Sequence, residues 1–506
     1  MKRTLPSACC ALSSVLCALS LSGCMVGPKY HAPAPPQIAA KNYKESTVNF
    51  QNQPGWKVAD PNAPMLQGNW WEAFHEPELN DLEGQLNINN QTIKQYFAQY
   101  MEARALVAEA RAQLWPTLTF SPSWSRERTS SNLGKSSTYA HTGSTSSVWQ
   151  APLDASWTPD LWGKIRREIQ SAQYAAQVSA ADLAAEKLTE QASLAEYYFE
   201  IRGQDELQVI LDKTVQADQA ALDAAQGAYQ TGTGDYISVV EARATLEAAK
   251  SAATAVGLAR AQYEHAIAVL LGKVASDFSI PVRPMTYTPP SIPTGVPSEL
   301  LERRPDIAAA ERTLAEANAT IGIGYGAFFP QITLSASGGT QTSNIAQIAD
   351  WPSRFWSLGA SASQVIFDAG LYRAALHQYQ AIYNADLASY RQTTLTAFQQ
   401  VEDALAASRI DSQQILHEQE AVKSAQEFLS LETQRYQTGV DPYVDVVTAQ
   451  TTVLADQETL NSLQVSNMIA SVQLVQSLGG GWDRTQLPTP AQAGSQPPSS
   501  AYAIQK

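Results

Sequence analysis

Two stretches of this sequence decide its organisation: YQTGTGDYISVVEARATL at residues 229–246 and YQTGVDPYVDVVTAQTTV at residues 436–453. The shared YQTG and the tyrosine, valine and alanine positions after it recur at a constant spacing of 207 residues. The same spacing relates Gly163 to Gly370. A long-range match carried by separate blocks indicates an internal duplication.

A block further upstream repeats with a slightly different spacing. QLWPTLTFS at 113–121 matches AFFPQITLS at 327–335, which aligns Pro116 with Pro330 at a spacing of 214 residues. The remaining difference of seven residues falls in the variable stretch between the blocks. The sequence therefore predicts two copies of one structural unit.

Composition narrows the class of protein. The 506 residues carry a net charge of −14, which disfavours nucleic acid as a partner. Charged residues make up 16% of the chain, below the roughly 25% of ordinary soluble domains. No run of 18 or more apolar residues occurs in the body of the chain, so the sequence predicts no transmembrane helix.

The first 24 residues have the order of a bacterial secretory signal. Lys2 and Arg3 precede an apolar run at 11–21, and LSGC follows at 21–24. The other cysteines all lie in this signal, at Cys9, Cys10 and Cys17. Once the signal is removed, Cys24 is the only cysteine, which excludes an intrachain disulfide. A plain signal peptide with a chance cysteine is the alternative.

Two segments of each copy alternate apolar and polar residues. In the first copy they are TLTFSPSWS at 117–125 and WQAPLDASW at 149–157. The second copy alternates in the same way at Ile332, Leu334, Ala336, Leu358, Ala360 and Ala362. This pattern predicts a membrane β-hairpin, although a soluble hairpin with one buried face shows the same alternation. Pro122 and Pro152 fit a closed barrel only at bulges or rims.

Long proline-free segments predict very long helices. A helix is expected from near Pro77, and another of 65 residues from Ile165 to Tyr229, about 95 Å at 1.5 Å per residue. Asp160 and Asp368 stand at the expected N-cap of each long helix.

YQTG falls where each long helix must end and a second helix return. Gly232 and Gly439 suit the left-handed residue that terminates a helix. Pro442 suits the first turn of the next helix. The two YQTG segments therefore predict two hairpin tips, far from the β-hairpins.

Each half thus follows the order helix, β-hairpin, long helix, tip, returning helix. This order resembles the outer-membrane channel subunits of bacterial tripartite efflux pumps, the TolC/OprM-like outer membrane factor family with its NodT-type efflux lipoproteins. The resemblance covers residues 21–482. Its motifs are LSGC (21–24), WWEAFHEPEL (70–79), DLWGKIRRE (160–168), LLERRPDIAAAE (300–311), AFFPQITLS (327–335), RYQTGVDPYVDVVTAQ (435–450) and SLGGGW (477–482).

The resemblance implies a mainly α fold with transmembrane β-strands. In a homotrimer, each protomer would contribute four strands to one outer-membrane β-barrel, and the helical hairpins would form a periplasmic α-barrel. The barrel would narrow at the tips and meet a periplasmic adaptor (membrane fusion) protein and an inner-membrane pump of the RND type. LSGC is similar to a lipobox, which implies a lipid on Cys24, and Met25 in place of Asp implies the outer membrane.

The resemblance also implies roles at the tips. It places Asp445 at the periplasmic aperture, where three copies would form an acidic ring that favours cations; the alternative is a solvated Asp at the positive end of a helix. Where other members carry further carboxylates this chain has Thr448 and Ser238, so a double acidic ring is not implied. The remaining tip residues are Asp441 and Tyr436 at the aperture, and Gly232, Thr233, Gly439 and Val440 for adaptor contact.

The sequence contains no pattern of an enzyme or of a metal site. GKS at 134–136 lacks the earlier glycine of a phosphate loop, which would be Thr129. The six histidines are scattered without paired spacing. We therefore expect no catalysis and no cofactor, apart from the covalent lipid on Cys24.

These observations predict a passive exit duct for drugs or other small molecules. An exit channel for type I protein secretion and, less favoured, a periplasmic adaptor lipoprotein are the alternatives. The predicted segments are 1–23 (signal peptide), 24–76 (lipidated N-terminal periplasmic segment), 77–272 (first repeat), 273–297 (Pro-rich linker), 298–482 (second repeat) and 483–506 (disordered tail).

Overall fold

Long helices dominate the part of the chain that the computed structural model describes. The described residues are 25–34, 43–45, 69–130, 145–285, 287, 289–290, 292 and 300–495. The predicted signal peptide and Cys24 lie outside them. The longer helices are α1 (Pro77–Asn89), α2 (Gln91–Ala112), α3 (Lys164–Gln230), α4 (Tyr236–Leu270), α5 (Pro305–Gly326), α6 (Leu371–Gln437) and α7 (Tyr443–Ser477). Short helical turns occur at Trp70–Phe74, Leu300–Arg303 and Pro490–Ala493.

The two halves of the chain have helices of matching length. α3 and α6 each contain 67 residues, and α4 and α7 each contain 35. At about 1.5 Å per residue, the longer pair extends roughly 100 Å. The predicted duplication and the predicted long helix are confirmed. Among the described residues, no helix combines the length and apolar character needed to cross a membrane.

Small side chains allow these helices to pack closely. Ala176, Ala181 and Ala195 of α3 are fully buried. At Gly203 of the same helix, an added Cβ would lie 2.3 Å from Cγ2 of Val465 on α7. Such contacts hold the two hairpins side by side at a separation that larger residues would prevent.

Five strands form one antiparallel sheet: β1 (Thr117–Phe120), β2 (Ser123–Arg128), β3 (Thr145–Trp157), β4 (Gln331–Thr342) and β5 (Arg354–Ser363). β1 and β2 both pair with β3, and the sheet continues through β4 to β5. Leu118 lies opposite Ala155, and Leu334 lies opposite Ala360. These apolar side chains stay exposed on one face, where Trp356 is 79% exposed. A soluble hairpin would bury this face, and the described residues leave it open.

The two prolines of the first hairpin have different positions. Pro122 lies in the interruption between β1 and β2. Pro152 lies inside β3, opposite Gly339, so its expected place at a bulge or rim was wrong. An added Cβ on Gly339 would lie 2.8 Å from the Pro152 Cα. The absence of a side chain on Gly339 therefore lets the strands approach at this proline.

The N-caps of the long helices are not the predicted Asp160 and Asp368. The N-cap residues of α3 and α6 are Gly163 and Gly370, both in left-handed conformation. Asp160 still accepts backbone hydrogen bonds from Ile165 at 3.2 Å and from Arg166 at 3.0 Å, and Asp368 accepts one from Tyr372 at 2.9 Å. The carboxylates cap the helices from outside, because a glycine turn separates them from the first helical residue. Pro442 likewise is the N-cap of α7 and precedes its first turn.

The described part of the C-terminal tail is ordered and packed, so the predicted disorder was wrong for residues 483–495. Thr489 forms a capping box with Gln492 around the turn Pro490–Ala493. Ala493 is fully buried, and Arg111 of α2 donates a hydrogen bond to the carbonyl of Gly494. The Pro-, Gln- and Ser-rich composition predicted disorder. The composition was misleading because the residues that contact this segment belong to a helix far away in the sequence.

Candidate functional site

The two hairpin tips share one backbone geometry. Gly232 and Gly439 have φ of +76° and +74°, as predicted for the residue that ends each helix. The next residue donates a backbone bond to the last helical turn: Thr233 N to Ala228 O and Val440 N to Arg435 O, both at 2.9 Å. These bonds satisfy carbonyl groups that a helix end leaves free. The repeat therefore extends to individual hydrogen bonds.

The side chains of the two turns differ. In the first turn, Asp235 caps α4 by accepting a bond from Ser238 N at 2.9 Å. The equivalent position in the second turn is Pro442, which offers no such acceptor. There Asp441 instead pairs with Arg435, whose Nη2 lies 2.9 Å from Oδ1. The hydrogen bond from Arg435 holds the pKa of Asp441 below its usual range.

A tyrosine pair closes each tip. The rings of Tyr229 and Tyr236 lie 5.5 Å apart, and those of Tyr436 and Tyr443 lie 5.2 Å apart. Tyr443 is buried, whereas Tyr236 is 56% exposed. The second tip is therefore the one whose tyrosine enters the contact between the hairpins.

An apolar cluster joins the two hairpins just behind the tips. Its buried members are Leu222, Ala225, Val239, Ala242 and Leu246 of the first hairpin, with Tyr443 and Val446 of the second. Burial raises the pKa of Tyr443 to about 12. Any separation of the tips has to expose this cluster to water.

One carboxylate is buried beside the cluster without a partner. Asp218 of α3 is 2% exposed, and neither of its oxygens has a hydrogen-bond partner among the described residues. Burial raises the pKa of Asp218. The Asp218 carboxylate contributes to the raised pKa of Tyr443, as Glu241 does more weakly. An unpaired buried acid therefore lies at the junction of the two hairpins.

Three carboxylates of the second tip lie close together. One oxygen each of Glu432, Asp441 and Asp445 lies within 4.8 Å of the others. Asp445 is half-buried in the first turn of α7, and Asp441 is paired with Arg435. The structure therefore places Asp445 on the tip surface, beside the turn.

The other predicted aperture residues make local contacts. The hydroxyl of Thr448 donates to the carbonyl of Val444 at 2.9 Å. Ser238 is half-buried at the start of α4, and Val440 is 66% exposed. Tyr436 packs on Tyr443 and, within the described residues, makes no hydrogen bond across the hairpins.

Sequence reasoning missed Asp218 and the roles of Arg435 and Tyr443. A signal for Asp218 was present, since Val215, Leu222 and Ala225 lie at helical spacing from it. An acid on such a stripe faces the core. The Arg435–Asp441 pair was not visible because a turn of unknown shape separates the two residues.

The N-terminal segment is attached at the opposite end of α3. Val26 N donates to Trp162 O at 3.1 Å, and Arg167 donates to Pro28 O at 2.8 Å. Met25 packs so closely on Gly163 that an added Cβ would lie 2.5 Å from Met25 Cγ. The residue that follows Cys24 therefore lies where α3 meets the sheet.

Comparison with known sequences gives a consistent result. A sequence model of the family described as "Outer membrane efflux protein" matches residues 82–273 and 296–480. The pyoverdine export outer membrane protein OpmQ of Pseudomonas putida is 31% identical over 95% of this chain and 98% of its own. The antibiotic efflux pump outer membrane protein ArpC of the same species is 28% identical over 93% of this chain and 95% of its own.

Comparison with solved structures supports the same fold. The outer-membrane channel OprN superposes with a TM-score of 0.80 at 27% identity, over 91% of this chain and all of that one. The open state of the MtrE outer membrane channel of Neisseria gonorrhoeae gives 0.76 at 26% identity, over 91% and 99%. The CmeC channel of Campylobacter jejuni gives 0.82 at 21% identity, over 94% and 100%.

Proposed function

This chain belongs to the outer membrane efflux protein family, and from that premise we propose that it is the passive exit duct of a tripartite, RND-type pump for small molecules. It is an outer-membrane efflux channel protein with its helices in the periplasm. The finer proposal is that three copies surround one pore, and that a periplasmic adaptor and an inner-membrane pump open the helical tips. We assign the chain no catalytic role.

The observation that carries the proposal is the combination of two features on one chain. The sheet exposes an apolar face, as strands facing lipid do. The same strands continue into helices of 67 residues, each about 100 Å long. A protein that is fixed in the outer membrane by the sheet can therefore present its tips deep in the periplasm.

The shape of the tips supports opening by a partner protein. Val440 and the turn glycines are exposed at the end of the molecule, where an adaptor has direct access. The Arg435–Asp441 pair stabilises the turn of the second tip, and the buried Tyr443 packs this tip against the first hairpin. We propose that adaptor contact displaces this tip, and that Asp445 lines the aperture so formed.

The cargo is proposed to be small molecules because of what the relatives export. The names of two relatives refer to antibiotic efflux and to pyoverdine export. An exit channel for secreted proteins is the second candidate, and it shares the fold. A deletion strain separates them: small-molecule export predicts intracellular accumulation of a dye or antibiotic, whereas protein secretion predicts loss of a polypeptide from the medium.

The proposed lipid on Cys24 fits the place of the residues that follow. Residues 25–28 are held by Trp162 and Arg167 at the junction of α3 and the sheet. An acyl chain on Cys24 would enter the bilayer beside the strands. Mass spectrometry of the mature N-terminal peptide tests this, and an unmodified Cys24 would refute it.

The topology is tested with single cysteines, because Cys24 is the only other cysteine of the mature chain. We expect a membrane-impermeant maleimide to label Ser137→Cys in intact cells and to label Ala224→Cys only after lysis. Ala224 is the periplasmic control because it is exposed near the tip, whereas its neighbour Ala225 is buried. Labelling of residue 137 only after lysis would place that residue in the periplasm and favour an adaptor lipoprotein.

A further inference from the structure

The charged residues of the sheet are sorted by sign between its two faces. The described strands contain five charged residues: Arg126, Glu127, Arg128, Asp154 and Arg354. Residues directly opposite each other in neighbouring strands share a face, and successive residues along a strand alternate between faces. The register of the strands therefore assigns each charge to a face.

Both acids lie on the polar face of the sheet. Asp154 lies opposite Thr119 on one side and Ser337 on the other. Glu127 lies opposite Ser146, which is an even number of residues from Asp154 along β3 and so shares its face. The negative charges of the strands thus accompany the serine and threonine side chains.

All three arginines lie on the apolar face, and we call Arg126, Arg128 and Arg354 the rim arginines. Arg126 and Arg128 follow Trp124 at every second residue of β2, so the three side chains share a face. Trp124 lies opposite Trp149, which belongs to the apolar face of β3. The positive charges therefore accompany the lipid-facing residues.

Arg354 joins this face from the last strand. It lies opposite Thr340, which in turn lies opposite Ala151 of the apolar face. Its guanidinium carbon lies 4.0 Å from the ring centroid of Trp351. Because Trp351 is in the turn that precedes β5, this side chain is directed towards the end of the sheet remote from the helices.

The rim arginines of β2 lie just beyond the apolar band. The rings of Trp124 and Trp149 lie 5.5 Å apart at the last apolar level of β2 and β3. Arg126 and Arg128 are two and four residues further from the helices, about 7 and 13 Å along the strand. At a strand tilt of about 45°, they stand about 5 and 10 Å above the tryptophans. This height corresponds to the headgroup layer of a bilayer.

The charge of this rim is opposite to that of the whole chain. The chain carries a net charge of −14, yet the charged residues on the apolar face of the described strands are all arginines, and all three are exposed. Arginine is unfavourable inside the hydrocarbon layer, whereas its planar fork of donors matches phosphate oxygens. The end of the sheet remote from the periplasmic helices faces the external leaflet, whose anionic lipid is a phosphorylated glycolipid.

We propose that the rim arginines bind the phosphate groups of the phosphorylated glycolipid in the external leaflet. The acyl chains of this lipid lie along the apolar face, and its phosphates lie at the level of the guanidinium groups. The interaction goes beyond the proposed function, because it requires the outer-membrane location and does not depend on the exported cargo.

Lipid titration of the mature protein in detergent tests this binding. Native mass spectrometry counts the bound molecules of purified lipid A carrying two phosphates. We expect Arg126→Gln/Arg128→Gln/Arg354→Gln to weaken binding about tenfold, because each exposed charge pair contributes roughly a factor of two. The difference should shrink in 1 M salt, where charges are screened within about 3 Å. Lipid A without phosphates should bind the wild type and the variant equally.

Two controls remove charge elsewhere. Glu127→Gln changes the intervening position of β2 on the polar face and is expected to leave binding unchanged. Lys213→Gln/Arg243→Gln/Arg391→Gln removes three exposed positive charges from the helices and is also expected to bind like the wild type. Unchanged binding by the rim variant, or an equal loss in the helix control, would overturn the proposal.

Three further measurements complete the test. If phosphatidylglycerol bound as tightly as lipid A and lost as much affinity in the rim variant, the assignment to the glycolipid would be wrong. Displacement of lipid A by equimolar inorganic phosphate would show a site for the free anion instead. If the triple variant does not reach the outer membrane, Arg128→Gln alone must weaken binding about twofold, and unchanged binding would refute the proposal. Export is not part of these readouts, so their failure leaves the proposed function intact.

Discussion

At the scale of single residues, the tips depend on two glycines. Gly439 and Gly232 have positive φ, and an added Cβ would meet no atom within 4 Å at either position. The demand for glycine is therefore conformational and not steric. This is why the sequence alone located both turns: a positive φ is required at a single residue, and the glycine of YQTG meets that requirement.

Replacing Gly439 with alanine is expected to loosen the second tip. The left-handed conformation costs a non-glycine residue roughly 1 kcal/mol, so local opening should become about fivefold more frequent. Hydrogen exchange of the amides of residues 436–446 measures this opening. Gly227→Ala is the control, because Gly227 is helical and its Cβ would also meet nothing within 4 Å. Equal exchange in both variants would contradict the argument.

Asp218 is expected to make the tips less stable as the pH rises. Its folded-state pKa is raised by burial, so the unfolded or opened state releases the proton first. Stability is therefore highest below the ordinary pKa of an Asp and falls as the pH rises through the raised value. Tyr443 and Glu241 face the same region. Both are acids that can only lose a proton as the pH rises, so neither offsets the negative charge of Asp218.

Asp218→Asn is expected to flatten this dependence. It should slow exchange of the tip amides at pH 8 relative to wild type, after correction for intrinsic rates, and change little at pH 4. The expected gain is on the order of 1 kcal/mol, the usual scale for an unsatisfied buried polar group. Asp223→Asn is the control on the exposed face of α3. An equal effect at both pH values would show that charge is not the cause.

At the scale of elements, periodicity and composition predicted the long helices to within one residue at either end. They failed at the N-caps, because a glycine turn separates Asp160 from α3. The periodicity of apolar residues within a helix does not reveal how many residues such a turn contains. They failed again at residues 483–495, where Arg104 and Arg111 of α2 donate hydrogen bonds to the carbonyl oxygens of Ser495 and Gly494. Contacts between distant elements leave no periodic signal in the sequence.

The contact of α3 with α7 is expected to tolerate no side chain at residue 203. Gly203→Ala would bring Cβ to 2.3 Å from Val465 Cγ2, and overpacking of this kind costs about 1–3 kcal/mol. Thermal unfolding in detergent, at one heating rate, should show a lower midpoint. Gly257→Ala on α4 meets no atom within 4 Å and should not lower it. Adding Val465→Ala should restore much of the loss; if it does not, the clash is not the cause.

At the scale of the whole molecule, the two copies of the repeat differ in the charge of their tips, and the second tip carries more acidic residues at the turn than the first. Asp445 corresponds to Ser238, and Asp441 corresponds to Gly234. Because Arg435 pairs with Asp441, Asp445 is the acid of that turn without an arginine partner among the described residues. The sequence identified Asp445 by resemblance alone, since nothing local distinguishes it from an ordinary helix-start acid.

Replacing Asp445 with serine, the residue at the equivalent position 238 of the first copy, tests whether the tips form an aperture lined by acids. In a trimer, Asp445→Ser removes three negative charges at one level of the pore, so the preference of the channel for cations should fall. Reversal potentials in planar bilayers measure this preference. The effect should be larger at 0.01 M than at 1 M salt, because the screening length falls from about 30 Å to about 3 Å. Glu458→Gln, exposed further along α7, is the matched control. An unchanged reversal potential at low salt would show that Asp445 is a solvated helix-start residue away from the ion path.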